Sequence, residues 1–242
     1  ICTDQIDGEY TDKRRFLIFD YCRNFEYFRE HKEGYESREV KTLSENIFGK
    51  QIRLLVLLQE STYADDNFQT WREELISGCH EQITTLQPEL TEIRMRIQYV
   101  EKYKKLEAFD FISEGNKNEL IQQIAPVVHL DDSDEYAKRF DNFMYGLMLA
   151  KIEQMPSFKY VKKQLCDMAS ILERKIRISQ VKAKLDIIKE INTDDFWAAN
   201  NILLFEKVRR ELRGLIRFLE EESKGRDRII TRLTDPVIEQ KE

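Results

Sequence analysis

Apolar residues recur at intervals of three or four from residue 42 onward, a spacing that predicts amphipathic helices. The first helix is expected to begin at Thr42, because Thr42–Glu45 has the form of a capping box. The apolar positions of the first two stripes are Leu43, Ile47, Leu54, Leu55, Leu58, Phe68, Trp71, Leu75, Cys79, Ile83, Leu86, Leu90, Ile93, Ile97 and Val100. Pro88 lies inside the second stripe and should end or kink that helix.

The helical pattern continues through the second half of the chain. A shorter helix is predicted from residue 116 to residue 124, and another opens at the acidic segment 131–135. The stripe from Val161 to Ile188 predicts one helix of about 30 residues. Thr193 is the expected N-cap of a last helix near residues 201–222. The apolar face of that helix is Leu204, Val208, Leu212, Leu215 and Leu219.

One segment near the start has a strong strand pattern. Residues 16–21 form a short apolar, aromatic run, which is typical of a strand buried on both faces. Residues 1–15 are polar and are expected to be irregular, with Asp7-Gly8 as a turn. A lone strand must pair with other strands, so most of its sheet is expected upstream of Ile1. The absence of an initial Met likewise favours a fragment or a processed product.

Composition agrees with a mainly α protein. The chain has 8 Gly and 4 Pro among 242 residues, which is about 5% against an average near 12%. Folds that turn often, such as β-sandwiches and doubly wound sheets, need more of these residues. The predicted fold is therefore a multi-helix bundle of long antiparallel helices, preceded by one strand.

Charge and cysteine content indicate which kinds of binding partner and which cellular compartment to expect. Residues 1–150 carry 19 Lys and Arg against 29 Asp and Glu, whereas residues 151–242 carry 20 against 16. The C-terminal third is thus the part suited to a polyanion. The four cysteines are far apart, which excludes a zinc pattern and fits a reduced, cytoplasmic compartment. The longest apolar run, residues 54–58, is too short to span a membrane, so no membrane partner is expected.

Candidate catalytic chemistry is sparse. Asp20 with Glu39-Val40-Lys41 has the residue types of a metal-dependent nuclease, but Glu39–Lys41 is expected in a polar loop rather than on a neighbouring strand. The chain has no phosphate-binding G-x-x-x-x-G-K-[ST] motif, so the chain itself should not hydrolyse ATP. The acidic segment 131–135 lacks the Gly and Glu of a calcium loop. We therefore predict no catalytic, cofactor or metal site in this chain.

The predicted last helix carries the candidate binding residues. Arg210, Arg213 and Arg217 are three or four positions apart and share one face, with Lys207 nearby. This face is a candidate contact with DNA or a partner protein. It is also interleaved with Glu206 and other acids, which favours a salt-bridged surface without a partner. The sequence leaves these alternatives open.

The segment Thr11–Phe28, TDKRRFLIFDYCRNFEYF, resembles the end of the second RecA-like domain in the motor (R) subunit of type I restriction enzymes, within the DEAD/DEAH-type helicases. That family has a D-K-x-x-F entry, an I-F-D-[YF] strand and an N-F-[EQ]-[YF]-F run. The resemblance covers about 18 residues closely, and a helical C-terminal region follows it. None of the family's catalytic motifs has a counterpart here, so no catalytic residue carries over.

The resemblance implies a division into three parts and a role in a larger complex. Residues 1–38 would be the tail of the second helicase lobe and its junction, residues 39–223 a helical C-terminal domain, and residues 224–242 a charged tail. The domain would serve assembly with the modification and specificity subunits and coupling to the motor. The parent chain would use ATP and Mg and would contact DNA through the complex. The alternative is a free-standing helical module that binds nucleic acid through the basic last helix.

Overall fold

The computed structural model describes the backbone of residues 3–6 and 9–12, and residues 41–130, 134–198 and 202–222, with side chains as far as Leu219. The chain divides between Val40 and Lys41 into two compact units. The assignment of residues 1–38 to a helicase lobe stays a prediction. The predicted strand 16–21 and the predicted tail 224–242 lie outside the described residues.

The first unit contains two paired β-strands, so the prediction of irregular structure was wrong for residues 3–6 and 9–12. Strands β1 (Thr3–Ile6) and β2 (Glu9–Asp12) pair antiparallel, with Thr3 opposite Asp12 and Ile6 opposite Glu9. Asp7-Gly8 lies between the two strands, and Asp-Gly is a favoured pair for a two-residue hairpin connection. The strands themselves are mostly polar, which explains why alternation of hydrophobicity did not reveal them.

The second unit is mainly helical. Its α-helices within the described residues are α1 (Leu43–Leu57), α2 (Asp66–Thr84), α3 (Thr91–Arg94), α4 (Ile97–Tyr103), α5 (Glu114–Glu119), α6 (Glu135–Ile152), α7 (Phe158–Arg174), α8 (Ser179–Lys182), α9 (Leu185–Glu190), α10 (Asp194–Ala198) and α11 (Leu203–Leu212). Short 3₁₀ turns occupy Ser61–Tyr63, Leu106–Phe109 and Ala125–Val127, a π-helical turn occupies Leu120–Ile124, and a longer 3₁₀ segment, Arg213–Glu222, follows α11.

Helices α1 and α6 form the centre of the core. They make the most extensive contact between helices, and α11 and the final 3₁₀ segment also pack against α6. Residues 140–150 of α6 are all buried, which is far wider than the stripe of a surface helix. Helix α6 is therefore enclosed by its neighbours, and its few polar residues need partners inside the protein.

Side chains cap several helices where the sequence predicts it. Thr42 Oγ1 accepts a hydrogen bond from the Glu45 backbone N at 3.1 Å, which confirms the predicted start of α1. Asp134 caps α6 by accepting from the backbone N of Tyr136 and Ala137. At its other end, α6 closes with a Schellman motif, in which Gln154 is left-handed and Met155 N donates to Ala150 O at 2.9 Å.

The predicted 30-residue helix from Val161 to Ile188 is wrong. Helix α7 ends at Arg174, and α8 and α9 follow as separate short helices. Ile178 is extended (φ −79°, ψ 120°), and its backbone N donates to Lys175 O at 2.9 Å. Since α9 packs back against α7, both sides of the break bury apolar residues, and the 3–4 spacing continues across it.

The last helix differs from its predicted form at its start and on its apolar face. Thr193 Oγ1 accepts from Phe196 N at 3.4 Å, so it caps the short α10 rather than the last helix. Val208, Leu212, Leu215 and Leu219 are buried as predicted, whereas Leu204 is only half-buried. Phe205 and Ile216 are additional buried residues of this face. Among the described residues, no helix combines the length and the apolar character needed to cross a membrane.

Candidate functional site

A network of arginines and carboxylates joins α11 to α6. Asp141 projects from the enclosed part of α6, and Glu206 and Arg209 lie one turn apart on α11. Arg209 Nη1 donates to Asp141 Oδ1 at 2.8 Å, while its Nε and Nη2 donate to the two Glu206 oxygens at 2.8 and 2.7 Å. The side chains of Asp141, Glu206 and Arg209 are 10%, 5% and 15% exposed. This is a largely buried ion pair network with complementary, partly bidentate geometry.

Arg209 is fixed from a third direction by an aromatic ring. Its guanidinium carbon lies 5.0 Å from the centroid of the Tyr145 ring, which is within cation–π range. Burial lowers the pKa of Arg209, but Glu206, Tyr145 and Asp141 raise it by more, so the net pKa is raised. Arg209 is thus held as a cation, and removal of either carboxylate would leave a buried charge less compensated.

Two further arginines extend the network toward the surface. Arg213, at the start of the final 3₁₀ segment, donates from Nη2 to Asp141 Oδ2 at 2.8 Å. Arg210 donates from Nε to Glu206 Oε1 at 2.6 Å and from Nη2 to Glu74 of α2. Glu74 and Glu206 raise the pKa of Arg210. The network therefore links four elements: α2, α6, α11 and the final 3₁₀ segment.

Behind the network lies a buried chain of neutral polar groups. Gln51 Nε2 of α1 donates to the Tyr145 hydroxyl at 3.3 Å, and Cys79 Sγ of α2 lies 3.8 Å from Gln51 Oε1. Burial raises the pKa of the Cys79 thiol to about 12 and also raises the pKa of Tyr145. Both groups are therefore protonated at neutral pH, and Cys79 lacks the thiolate that a reactive cysteine needs.

A cleft of about 390 Å³ opens beside the network. The charged side chains in its lining are Glu74, Asp141, Glu206, Lys138, Arg209, Arg210 and Arg213. The apolar side chains in its lining include Ile47, Trp71, Leu75 and Leu130. The volume lies within the range of small-molecule pockets, near its lower limit.

The structure places the four predicted contact residues in different settings. Lys207, Arg210 and Arg217 are exposed, and Arg213 is half-buried. Arg210 and Arg213 belong to the network, and Lys207 and Arg217 do not. Arg217 donates to Gln180 Oε1 at 3.0 Å, and its guanidinium lies over the ring of Phe218. On the predicted face, Arg210 and Arg213 therefore pair with carboxylates, as the salt-bridged alternative expects, whereas Lys207 and Arg217 lie outside the network.

Sequence reasoning missed the carboxylates that pair with these arginines from other elements. Asp141 is the only charged residue between Arg139 and Lys151, on a helix whose other positions are mostly apolar. An acid in such a position is rarely buried without a partner, which was the available signal. Glu74 lies on an ordinary exposed position of α2, and nothing in the sequence marks it. Glu206 pairs within the helix as expected. Glu211, another acid of the same helix, accepts from Lys184 instead.

The structure describes only some of the residues that the sequence offered as possible metal ligands. Asp20, Glu39 and the segment 131–133 lie outside the described residues. Lys41 lies 3.9 Å from Glu45 in an ion pair at the start of α1. In the part of the chain that the structure describes, no group of three or more His, Cys, Asp or Glu could hold a metal ion.

Comparison with protein-family models, curated proteins and solved structures found no match to this chain.

Proposed function

We propose that this chain is the C-terminal part of the motor subunit of a type I restriction enzyme, and that its helical unit serves assembly with the modification and specificity subunits. The resemblance of Thr11–Phe28 to the end of a RecA-like lobe is the observation that carries the proposal. A helical unit with its own core follows that segment from Lys41 onward. In this proposal residues 16–21 form a strand of the lobe, and the parent chain supplies the ATP, Mg and DNA chemistry.

The paired arginines favour a role in assembly or coupling over phosphate binding by this face. Arg209, Arg210 and Arg213 each donate to at least one carboxylate. A nucleic acid would have to compete with the largely buried carboxylates of Asp141 and Glu206 for these guanidinium groups. Lys207 and Arg217 remain at the surface, outside the network, as candidate contacts with an acidic partner.

The test is co-purification of the 242-residue chain with the modification and specificity subunits. The double variant Lys207→Gln/Arg217→Gln should reduce co-purification, because it removes the two exposed cations outside the network. The matched control is Lys159→Gln/Lys163→Gln, two exposed lysines of α7, which should leave assembly unchanged. Failure of the unmodified chain to associate with the subunits would contradict the proposal.

The alternative, a free-standing nucleic-acid-binding module, makes a different prediction for the same proteins. Its affinity for duplex DNA would fall steeply as salt rises, because each phosphate contact releases counterions. Steeply salt-dependent DNA binding that the double variant loses, with no association with the subunits, would establish the alternative. We expect weak DNA binding that changes little between the unmodified chain and the double variant.

A further inference from the structure

The cleft beside the network is lined by more cationic than anionic side chains. Each of its three carboxylates, those of Glu74, Asp141 and Glu206, already accepts from a guanidinium group. The lining also carries four cationic side chains, so the formal charge of these seven side chains is one unit positive. A net positive charge favours an anionic ligand.

Arg210 binds two carboxylates, and its contact with Glu74 is the weaker of the two. Its Nε is held by Glu206, whose side chain is 5% exposed, and this bond fixes the plane of the guanidinium. Its Nη2 binds Glu74 in a pair whose side chains are 49% and 50% exposed. Exposed ion pairs contribute little net stability, so a ligand carboxylate can replace Glu74 at small cost. Preorganised guanidinium groups bind carboxylates well because little side-chain freedom is lost.

Lys138 supplies a second cation to the same cleft. It lies on the first turn of α6, and its Nζ is 3.9 Å from Glu135 Oε2, a distance at the limit of an ion pair. An ammonium group in such a loose pair retains hydrogen-bond donors for another acceptor.

Apolar side chains form another part of the cleft lining. Ile47, Leu75 and Leu130 line it together with Trp71. Aliphatic side chains are suited to contact with a ligand that has an apolar body.

We propose that this cleft binds a small organic acid. The carboxylate lies at Arg210 and Lys138, where it replaces Glu74 on the outer edge of the guanidinium. The aliphatic body packs against Ile47, Leu75 and Leu130. This is a ligand site separate from any role in subunit assembly, and its test requires no partner protein.

The test is calorimetric titration of the 242-residue chain with three probes that separate charge from apolar contact. Hexanoate has both features, acetate has the charge alone, and hexanol has the chain alone. We expect saturable binding of hexanoate and at least about tenfold weaker binding of the other two, because each contributes only part of the interaction. Equal binding of acetate or of hexanol, or no saturable binding of hexanoate, would overturn the proposal.

Substitutions locate the site. Arg210→Gln and Lys138→Gln should each weaken hexanoate binding about tenfold, the effect of one charge-assisted hydrogen bond, and leave hexanol unchanged. Lys163→Gln, on the exposed face of α7, is the matched control and should bind hexanoate as the unmodified chain does. Circular dichroism checks that each variant is folded. If Arg210→Gln does not fold, Lys138→Gln alone decides, and unchanged hexanoate binding by folded variants would refute the assignment.

Discussion

The two ends of α11 are held to the rest of the helical unit by different physical means. At its start, Phe205 packs against Phe196 and Trp197, with ring centroids 5.7 and 5.6 Å apart. At its end, Arg209 and the adjoining Arg213 bind Asp141 of α6. The first contact is apolar and aromatic, whereas the second is a network of largely buried charges. Substitutions at the two ends of α11 therefore compare the energetic response of an apolar contact with that of an ionic contact.

The apolar contact is expected to tolerate substitution better than the ionic one. Packing energy depends on volume and area, so an apolar residue of similar size recovers most of it. A buried charge network is asymmetric, because the loss of one member leaves its partners desolvated and incompletely paired. The end of α11 is thus specified by particular residues, and its start is specified mainly by apolar volume.

The largest effect is expected from Arg209→Met. This change leaves Asp141 and Glu206 buried with fewer donors and should lower the free energy of unfolding by about 3–5 kcal/mol. Urea denaturation measures this change. Arg53→Met is the control, because the Arg53–Glu153 pair lies outside the network and is more exposed than Asp141, Glu206 and Arg209, at 27% and 28%. Its loss should cost about 1 kcal/mol or less. A loss below that of the control would contradict the distinction between the two ends.

At the aromatic end, Phe205→Leu should lower the free energy of unfolding by only about 1–2 kcal/mol, because an apolar side chain still fills most of the volume. The same urea experiment measures it. The loss should be the same at low and high salt, since neither side chain is charged. A loss equal to that of Arg209→Met would mean that the aromatic cluster is as intolerant as the ion network.

Alkaline pH should destabilise the protein through the buried thiol of Cys79, one of the neutral polar groups behind the network. The pKa of Cys79 is about 12 when folded, raised from 9.0 by burial. The stabilising effect of the neutral thiol is therefore complete below pH 9 and is lost as pH rises toward 12. Between pH 8 and pH 10 the contribution of Cys79 to the free energy of unfolding should fall by about 1.4 kcal/mol. Unfolding of the unmodified chain and of Cys79→Ala should show this difference in pH dependence; parallel curves would contradict it.

The smallest effect is expected from Arg217→Ala, because this side chain is exposed and lies outside the ion network. The free energy of unfolding should change by about 0.5 kcal/mol or less. Arg213→Ala should cost more, since it removes a donor from the mostly buried Asp141. Thermal unfolding of the two variants measures the difference. Equal losses would mean that position in the network does not decide the energetic role of these arginines.

Local features of the helical unit could be predicted from the sequence. The Thr42 cap, the helix break around Pro88 and most of the buried face of the last helix depend on neighbouring residues, and the structure has them as predicted. The break after Arg174 could not be predicted, because no Gly or Pro marks it. Spacing of three or four residues is the same for one long helix and for several short ones that pack together.

The candidate site was only half predictable for a related reason. The arginines of the last helix stand out as a group, but their pairing depends on Asp141 and Glu74, which are 68 and 136 positions from their partners Arg209 and Arg210. A helical pattern within one segment contains no information on which residue of another segment it meets. Burial of Asp141 could be suspected from its apolar surroundings, whereas its partner could not.

Gly146 of α6 shows how a position with no chemistry of its own can limit another. A Cβ at this position would lie 3.3 Å from Lys50 Nζ, which donates to Asn142 Oδ1 at 2.8 Å and to Asn142 O at 3.0 Å. Glycine inside a helix is about 1 kcal/mol less favourable than alanine, so the space for the ammonium is obtained at the expense of helix propensity. Positions 50 and 146 are therefore energetically coupled, because a larger residue at 146 requires a shorter residue at 50. In related sequences, substitution at one position should be accompanied by substitution at the other.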